Sequence, residues 1–192
     1  GDDNVAIGRL AGNDLTSGAT NVAVGYAAGS NATTASNTVA IGNAAIGSGV
    51  LTGDDNVAIG RLAGNDLTSG TYNNFMGLQA GANVTTGTGN VFQGYQAGEF
   101  TTTANYSIAI GYSAISLGVL TGTDNTAIGR QAGNDLTSGT YNNFMGYRAG
   151  YNLTTGTYNV LQGDQVGLNA TTASNTIAIG RSAMGTGIVT GT

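Results

Sequence analysis

The chain contains no cysteine, histidine, lysine, proline or tryptophan, and each absence removes a class of chemistry. Without cysteine there are no disulfides, no thiolate nucleophile and no cysteine zinc site. Without histidine there is no imidazole metal ligand and no side chain that ordinarily titrates near neutrality. The only bases are five arginines in a chain of net charge −5, so the basic stripe that phosphate contact requires is missing. Charged residues make up only 8% of the chain, which argues against a highly charged disordered polymer. No apolar run approaches the ~20 residues of a membrane helix. Glycine is abundant, at 34 of 192 residues, but it lacks the G-X-Y period of collagen.

What is present is repetition. The glycine of an N-x-A-I-G motif recurs at Gly8, Gly25, Gly42, Gly60, Gly77, Gly94, Gly111, Gly129, Gly146, Gly163 and Gly180, in steps of 17 or 18 residues. A period this regular predicts one structural turn stacked on itself, each turn touching only its neighbours. The expected fold is all-β, a β-solenoid or β-roll of about eleven turns. Residues 1–192 form a single array in which a four-turn block of 69 residues, 53–121, recurs at 122–190 after a shorter three-turn block, 1–52. The first residues already lie inside a repeat, so a segment of a longer fibre is expected.

Counting from the motif glycine as zero, positions −3 and −1 are mostly Val or Ile, as in Val39 and Ile41 or Ile108 and Ile110. Both are placed on one face of a short strand, directed into the coil. Position −2 is Ala or, less often, Phe75, Phe92, Phe144 or Leu161, which makes the other face apolar as well. Such a strand is expected to be buried on both faces. Position +3 is almost always Ala and +4 usually Gly, which marks close backbone approach or a tight corner. A second short strand is predicted at pairs such as Leu15-Thr16 and Leu67-Thr68, with Leu inward.

A 17-residue loop encloses little volume. At roughly 25 cal/mol per Å² of apolar surface, its core barely offsets ordering costs of ~1.5 kcal/mol per residue. A parallel homotrimer is therefore expected, with the −2 face packed against the other copies. Gln93 and Gln162 interrupt the −1 column. Either symmetry copies satisfy them, or their turns rotate them outward.

The strings Asn37-Thr38-Val39-Ala40-Ile41-Gly42, Tyr106-Ser107-Ile108-Ala109-Ile110-Gly111 and Asn175-Thr176-Ile177-Ala178-Ile179-Gly180 resemble the N-S-V-A-I-G head repeat of YadA-like trimeric autotransporter adhesins. The resemblance implies a trimeric left-handed parallel β-roll that attaches to surfaces. The period here is longer than that family's. The A-I-G-x-x-A-G and N-N-F-M-G turns are more similar to repeats of phage tail-fibre and related surface-fibre proteins. An extracellular location on a bacterial cell surface or a virion is thus implied.

Candidate contact residues stand at position +1, where Tyr26, Tyr95, Tyr112 and Tyr147 alternate with Arg9, Arg61, Arg130 and Arg181. Tyrosine and arginine are favoured at protein interfaces, and aromatic faces also suit sugar rings. The competing role is a ladder of arginine against tyrosine along the rod. Tyr72, Tyr141 and Tyr158 occupy the corner before the strand. Asp14, Asp66 and Asp135, like the pairs Asp2-Asp3 and Asp54-Asp55, suit turn chemistry better than calcium binding. Glu99 and Asp164 escape the repeat, but lie four turns or about 19 Å apart, beyond glycosidase separations. No catalytic residue, cofactor or metal is expected. The sequons at Asn31, Asn83, Asn152 and Asn169 have meaning only in a secreted eukaryotic protein.

The expected function is that of a structural or adhesive fibre segment, self-associated, with a surface glycan or protein receptor as the candidate partner, without nucleic acid and without membrane insertion. The alternative is an ice-binding solenoid, because Thr16, Thr33, Thr68, Thr85, Thr102, Thr137, Thr154 and Thr171 form a column at +8.

Overall fold

A computed structural model describes residues 1–185. Eleven three-residue strands follow one another: β1 (Val5–Ile7), β2 (Val22–Val24), β3 (Val39–Ile41), β4 (Val57–Ile59), β5 (Asn74–Met76), β6 (Val91–Gln93), β7 (Ile108–Ile110), β8 (Thr126–Ile128), β9 (Asn143–Met145), β10 (Val160–Gln162) and β11 (Ile177–Ile179). Each pairs in parallel with the next, in chain order, within one sheet. Position −3 stands on −3 and −1 on −1 in every pairing, as in Val5 on Val22 and Gln162 on Ile179. The chain is therefore a parallel β-solenoid of about ten complete turns, its eleven rungs being the eleven motif copies. The described residues contain no helix. The end of the second 69-residue block, 186–190, lies outside the described residues.

Only three residues per turn are extended because the backbone bends on both sides. Position +2 is left-handed in every rung, from Leu10 (φ 60°) to Ser182 (φ 52°), and so is position −5, from Asp3 (φ 59°) to Asn175 (φ 53°). Each such non-glycine corner costs roughly 1–2 kcal/mol. Hydrogen bonds between turns run straight through the corners and offset that cost. Gly25 donates to the Ile7 carbonyl at 2.8 Å and Ala27 to that of Arg9 at 2.9 Å. At the other corner Thr20 donates to the carbonyl of Asp2 at 3.0 Å. The motif glycine has a different constraint. A β-carbon on Gly94 would lie 2.5 Å from the carbonyl oxygen of Gly111 in the next rung, so the glycine column is required by backbone contact between turns.

The coil's interior reverses the expected facing of the strand. Position −2 points inward: Ala58, Phe75, Phe92, Phe144 and Leu161 are buried, whereas the Val and Ile of −3 and −1 face outward, half-buried or exposed. The reason is volume. Alanines at +3, including Ala63, Ala80 and Ala97, are completely buried across the lumen and bring the backbones close. A phenylalanine enters only where glycine at +4 opens space, as Gly64 and Gly81 do for Phe75, and Gly133 and Gly150 for Phe144. Where +4 is Ile46 or Ile115 instead, the −2 residues of that rung and the next are alanines: Ala40 and Ala58, Ala109 and Ala127. The rungs near β1 to β3 combine Ala at −2 with Gly12 and Gly29 at +4, and there a small void of about 40 Å³ remains. The Phe75 and Phe92 rings stack along the axis at 5.4 Å.

A second ladder, of asparagine, runs beside this core at position −4. Asn73 Nδ2 donates to Asn56 Oδ1 at 3.1 Å and to the Gly87 carbonyl at 2.8 Å. Asn90 repeats the pattern one rung on, donating to Asn73 Oδ1 and to Ala104 O. All three asparagines are buried, and the polar groups of each are satisfied by the rungs on either side.

Among the described residues the predicted second strand does not form. Leu67, Leu136 and Leu153 do point inward, fully buried, but the segment continues from turn to turn through isolated hydrogen bonds such as Thr68 N to Thr85 O at 2.9 Å. The isolated bridge of Ala32 with Leu51 shows how near the described residues come to strand pairing there. Bends at the flanking glycines leave too few extended residues for a ladder.

Candidate functional site

Position +1 follows the motif glycine on the outer surface, and its residues contact one another along the rod. Arg9 lies 5.8 Å from the Tyr26 ring centre. The Tyr95 and Tyr112 rings stack at 4.9 Å with a 14° interplanar angle. Arg130 covers Tyr147 at 4.3 Å, and Arg148, at +2, approaches the same ring at 5.1 Å. Arg181 pairs with Asp164 at 3.5 Å on an exposed surface. Arg61 stands between Asn43 and Leu78 in its column and has no ring contact among the described residues. Tyr95, Tyr112 and Tyr26 nonetheless remain partly open to solvent. At the −5 corner Tyr141 and Tyr158 stack at 5.0 Å, and Tyr72 is largely exposed.

The outward −3 and −1 columns make a largely apolar stripe, interrupted by Asn74, Gln93, Thr126, Asn143 and Gln162. Ile41, Met76 and Ile7 expose 36%, 40% and 60% of their surface. Gln93 and Gln162 belong to this outer face and are half-buried in the single chain. Their amides reach the methionine one rung back, Gln162 Nε2 lying 3.2 Å from Met145 Sδ.

The threonine column is used internally. Thr68 donates its hydroxyl to the Thr85 carbonyl at 2.9 Å, and Thr137 to that of Thr154 at 3.0 Å. The acidic turns are likewise occupied by local bonds. Asn65 Nδ2 donates to Asp66 Oδ1 at 2.8 Å, Asn13 does the same for Asp14, and Asp54 Oδ1 accepts from Ser36 N at 2.7 Å. Asp3 and Asp55 hold the left-handed −5 corner. Among the described residues no three His, Cys, Asp or Glu side chains cluster as a metal site.

Glu99 is the exception to this economy. It is buried at position +5, and burial raises its carboxyl above the ordinary value, while a hydrogen bond from Gln96 pulls it back. Asp135 is raised for the same reason, burial. Glu99 lines a cleft with Gln96, Ser113, Ser116, Gln131 and Asn134, residues that motif searching passed over. The signal was present only when columns +2 and +5 are read down the rod, where serines interrupt longer polar side chains.

No protein-family model, curated protein or solved structure matches this chain.

Proposed function

We propose that the chain is a non-catalytic segment of an extended adhesive fibre, displayed on a bacterial cell surface or a virion, in which three copies run parallel. The supporting observation is the outward stripe of Val, Ile and Met on a coil whose interior is already filled by Ala, Phe and Leu. A second copy has the same rise of about 4.8 Å per rung, so side chains of adjacent copies interdigitate in register along the whole stripe. Association then removes apolar surface from water at roughly 25 cal/mol per Å². This assigns the intermolecular contact to −3 and −1, in place of the −2 face. Three rods together present every +1 tyrosine three times, and avidity multiplies weak contacts when geometry allows simultaneous engagement.

The axial donation of the threonine hydroxyls supports a laddering role for that column over recognition of an ice lattice. Sedimentation equilibrium tests the assembly: a trimeric mass is expected, and Ile41→Glu with Ile110→Glu should yield a monomer with unchanged far-UV circular dichroism. A stable monomer for the unaltered chain overturns the trimer. Tyr95→Ala with Tyr147→Ala should weaken attachment to target cells, and unchanged attachment removes those tyrosines as the contact. Thermal hysteresis in solutions of the chain would favour ice binding instead.

A further inference from the structure

Rungs six to eight, which begin at Gly94, Gly111 and Gly129, interrupt two columns at one corner. Position +2 carries Gln96, Ser113 and Gln131, and position +5 carries Glu99, Ser116 and Asn134. In both columns a serine stands between longer polar side chains, so rung seven is recessed between its neighbours. With rungs about 4.8 Å apart, the recess spans about 10 Å along the axis. It forms a cleft of about 250 Å³, completed by Phe100, Tyr112 and Leu117. That is somewhat less than the roughly 300–1,000 Å³ of pockets for drug-sized ligands, and it suits a single ring.

The polar groups of the cleft are held in place from outside it. Glu99, 7% exposed, accepts from Gln79 Nε2 at 3.1 Å, and Gln96 Nε2 reaches Gln79 Oε1 at 3.5 Å behind it. Gln131 Oε1 accepts from Arg148 Nε at 2.9 Å, which orients the amide and leaves Nε2 as its remaining donor. Asn134, 1% exposed, donates Nδ2 to the Ser113 carbonyl at 2.9 Å. A carbonyl accepts only from the NH₂ side, so this bond places Oδ1 on the other side, where it has no hydrogen-bond partner. An unpartnered buried acceptor of this kind costs roughly 1–3 kcal/mol, and an incoming donor would recover it.

We propose that this cleft binds a single neutral pyranose ring, with sugar hydroxyls donating to Glu99 and Asn134 and accepting from Gln131 Nε2. The ring's C–H face would lie against the apolar wall of Phe100 and Leu117. Tyr112 is fixed on one face by Tyr95, and Arg130 turns away from it onto Tyr147, so it too is available to the ligand. Alternating fixed donors and acceptors beside apolar carbon is the chemistry of a polyol with one apolar face. A cation is the less suited occupant, because burial of Glu99 disfavours its charged form. Every residue involved belongs to one chain, so the site does not depend on the fibre reading.

Ligand-observed saturation-transfer NMR on the full chain tests this with the methyl pyranosides of glucose, galactose and mannose, with N-acetylglucosamine, and with ethylammonium as the cation probe. Saturable binding of at least one sugar at millimolar concentration is expected, with none for ethylammonium. Ser113→Gln with Ser116→Asn fills the recess with the residues of rung eight and should weaken binding at least about tenfold, at unchanged circular dichroism. If that variant does not fold, Gln131→Ala, which places at +2 the alanine already tolerated at Ala27, should weaken it about fivefold. Failure of all four sugars, sugar binding unaffected by these substitutions, or preference for ethylammonium overturns the proposal.

Discussion

A β-carbon placed on Gly81 would lie 2.8 Å from Cδ1 of Phe75, so ring and glycine occupy complementary halves of one cross-section. Gly81→Ala should therefore destabilise by about 2–4 kcal/mol, from overpacking together with the left-handed backbone at this position. Phe75→Ala should cost about 3–5 kcal/mol. Ala23→Val, bordering the void between the first rungs, should have the opposite sign and stabilise by about 1 kcal/mol. Urea unfolding of the three variants checks the set, and a stabilising Gly81→Ala would refute the account of the core.

Asn90→Ala removes more than one bond. It deprives the Ser107 amide of its acceptor, now 3.0 Å away, and the Ala104 carbonyl of its donor. Two buried groups left without partners should lower stability by about 2–4 kcal/mol, measured by thermal unfolding. Asn90→Ser should be milder, because Ser107 fills the same column and its hydroxyl accepts from Asn125 N at 3.3 Å.

Tyr147→Ala is expected to reduce stability by about 1–2 kcal/mol, since two guanidinium groups lose the ring between them. Arg61→Ala, in the same column without a ring partner, should change stability by less than about 0.5 kcal/mol. Equal effects in the two variants would show that the ring contacts contribute nothing.

Burial raises the carboxyls of Glu99 and Asp135, so the folded chain holds protons that the unfolded chain releases. Stability from these groups is greatest below their ordinary values of 4.5 and 3.8, and it is lost as pH rises through the elevated folded values. Glu99→Gln should accordingly be more stable than the unaltered chain at pH 7, with the advantage shrinking as pH falls through the elevated folded value and gone at about pH 4, below the ordinary value of 4.5. Urea unfolding at the two pH values decides it; a less stable Glu99→Gln at pH 7 contradicts the assignment.

The positions of all eleven strands were legible in the glycine spacing, because the interturn contact that excludes a β-carbon at Gly94 recurs at every motif glycine from Gly8 to Gly163. The inside and outside of the strand were not. Val39 and Ile41 are larger and more apolar than Ala40 between them, and pattern alone favours burying them. What decides the matter is lumen width, which shows in the sequence only as a correlation between −2 and +4: Phe75 with Gly81, Ala40 with Ile46. The asparagine ladder was hidden for a similar reason, since the bond between Asn73 and Asn56 along the axis depends on side-chain placement that residue type alone does not reveal. At the candidate sites, the contacts of Arg130 and Tyr147 followed from their alternation at +1. The cleft around Glu99 did not, because its mark is two short side chains, Ser113 and Ser116, on one rung among many.

The asparagine ladder has a bearing on how the chain acquires its shape. Asn73 binds residues 14 and 17 positions away, and Asn90 does the same one rung later. A nascent polypeptide thus never waits for a distant partner: once one coil has closed, the next seventeen or so residues complete another upon it. Growth from a nucleus is then sequential, and an obstruction at one level spares everything already wound beneath it.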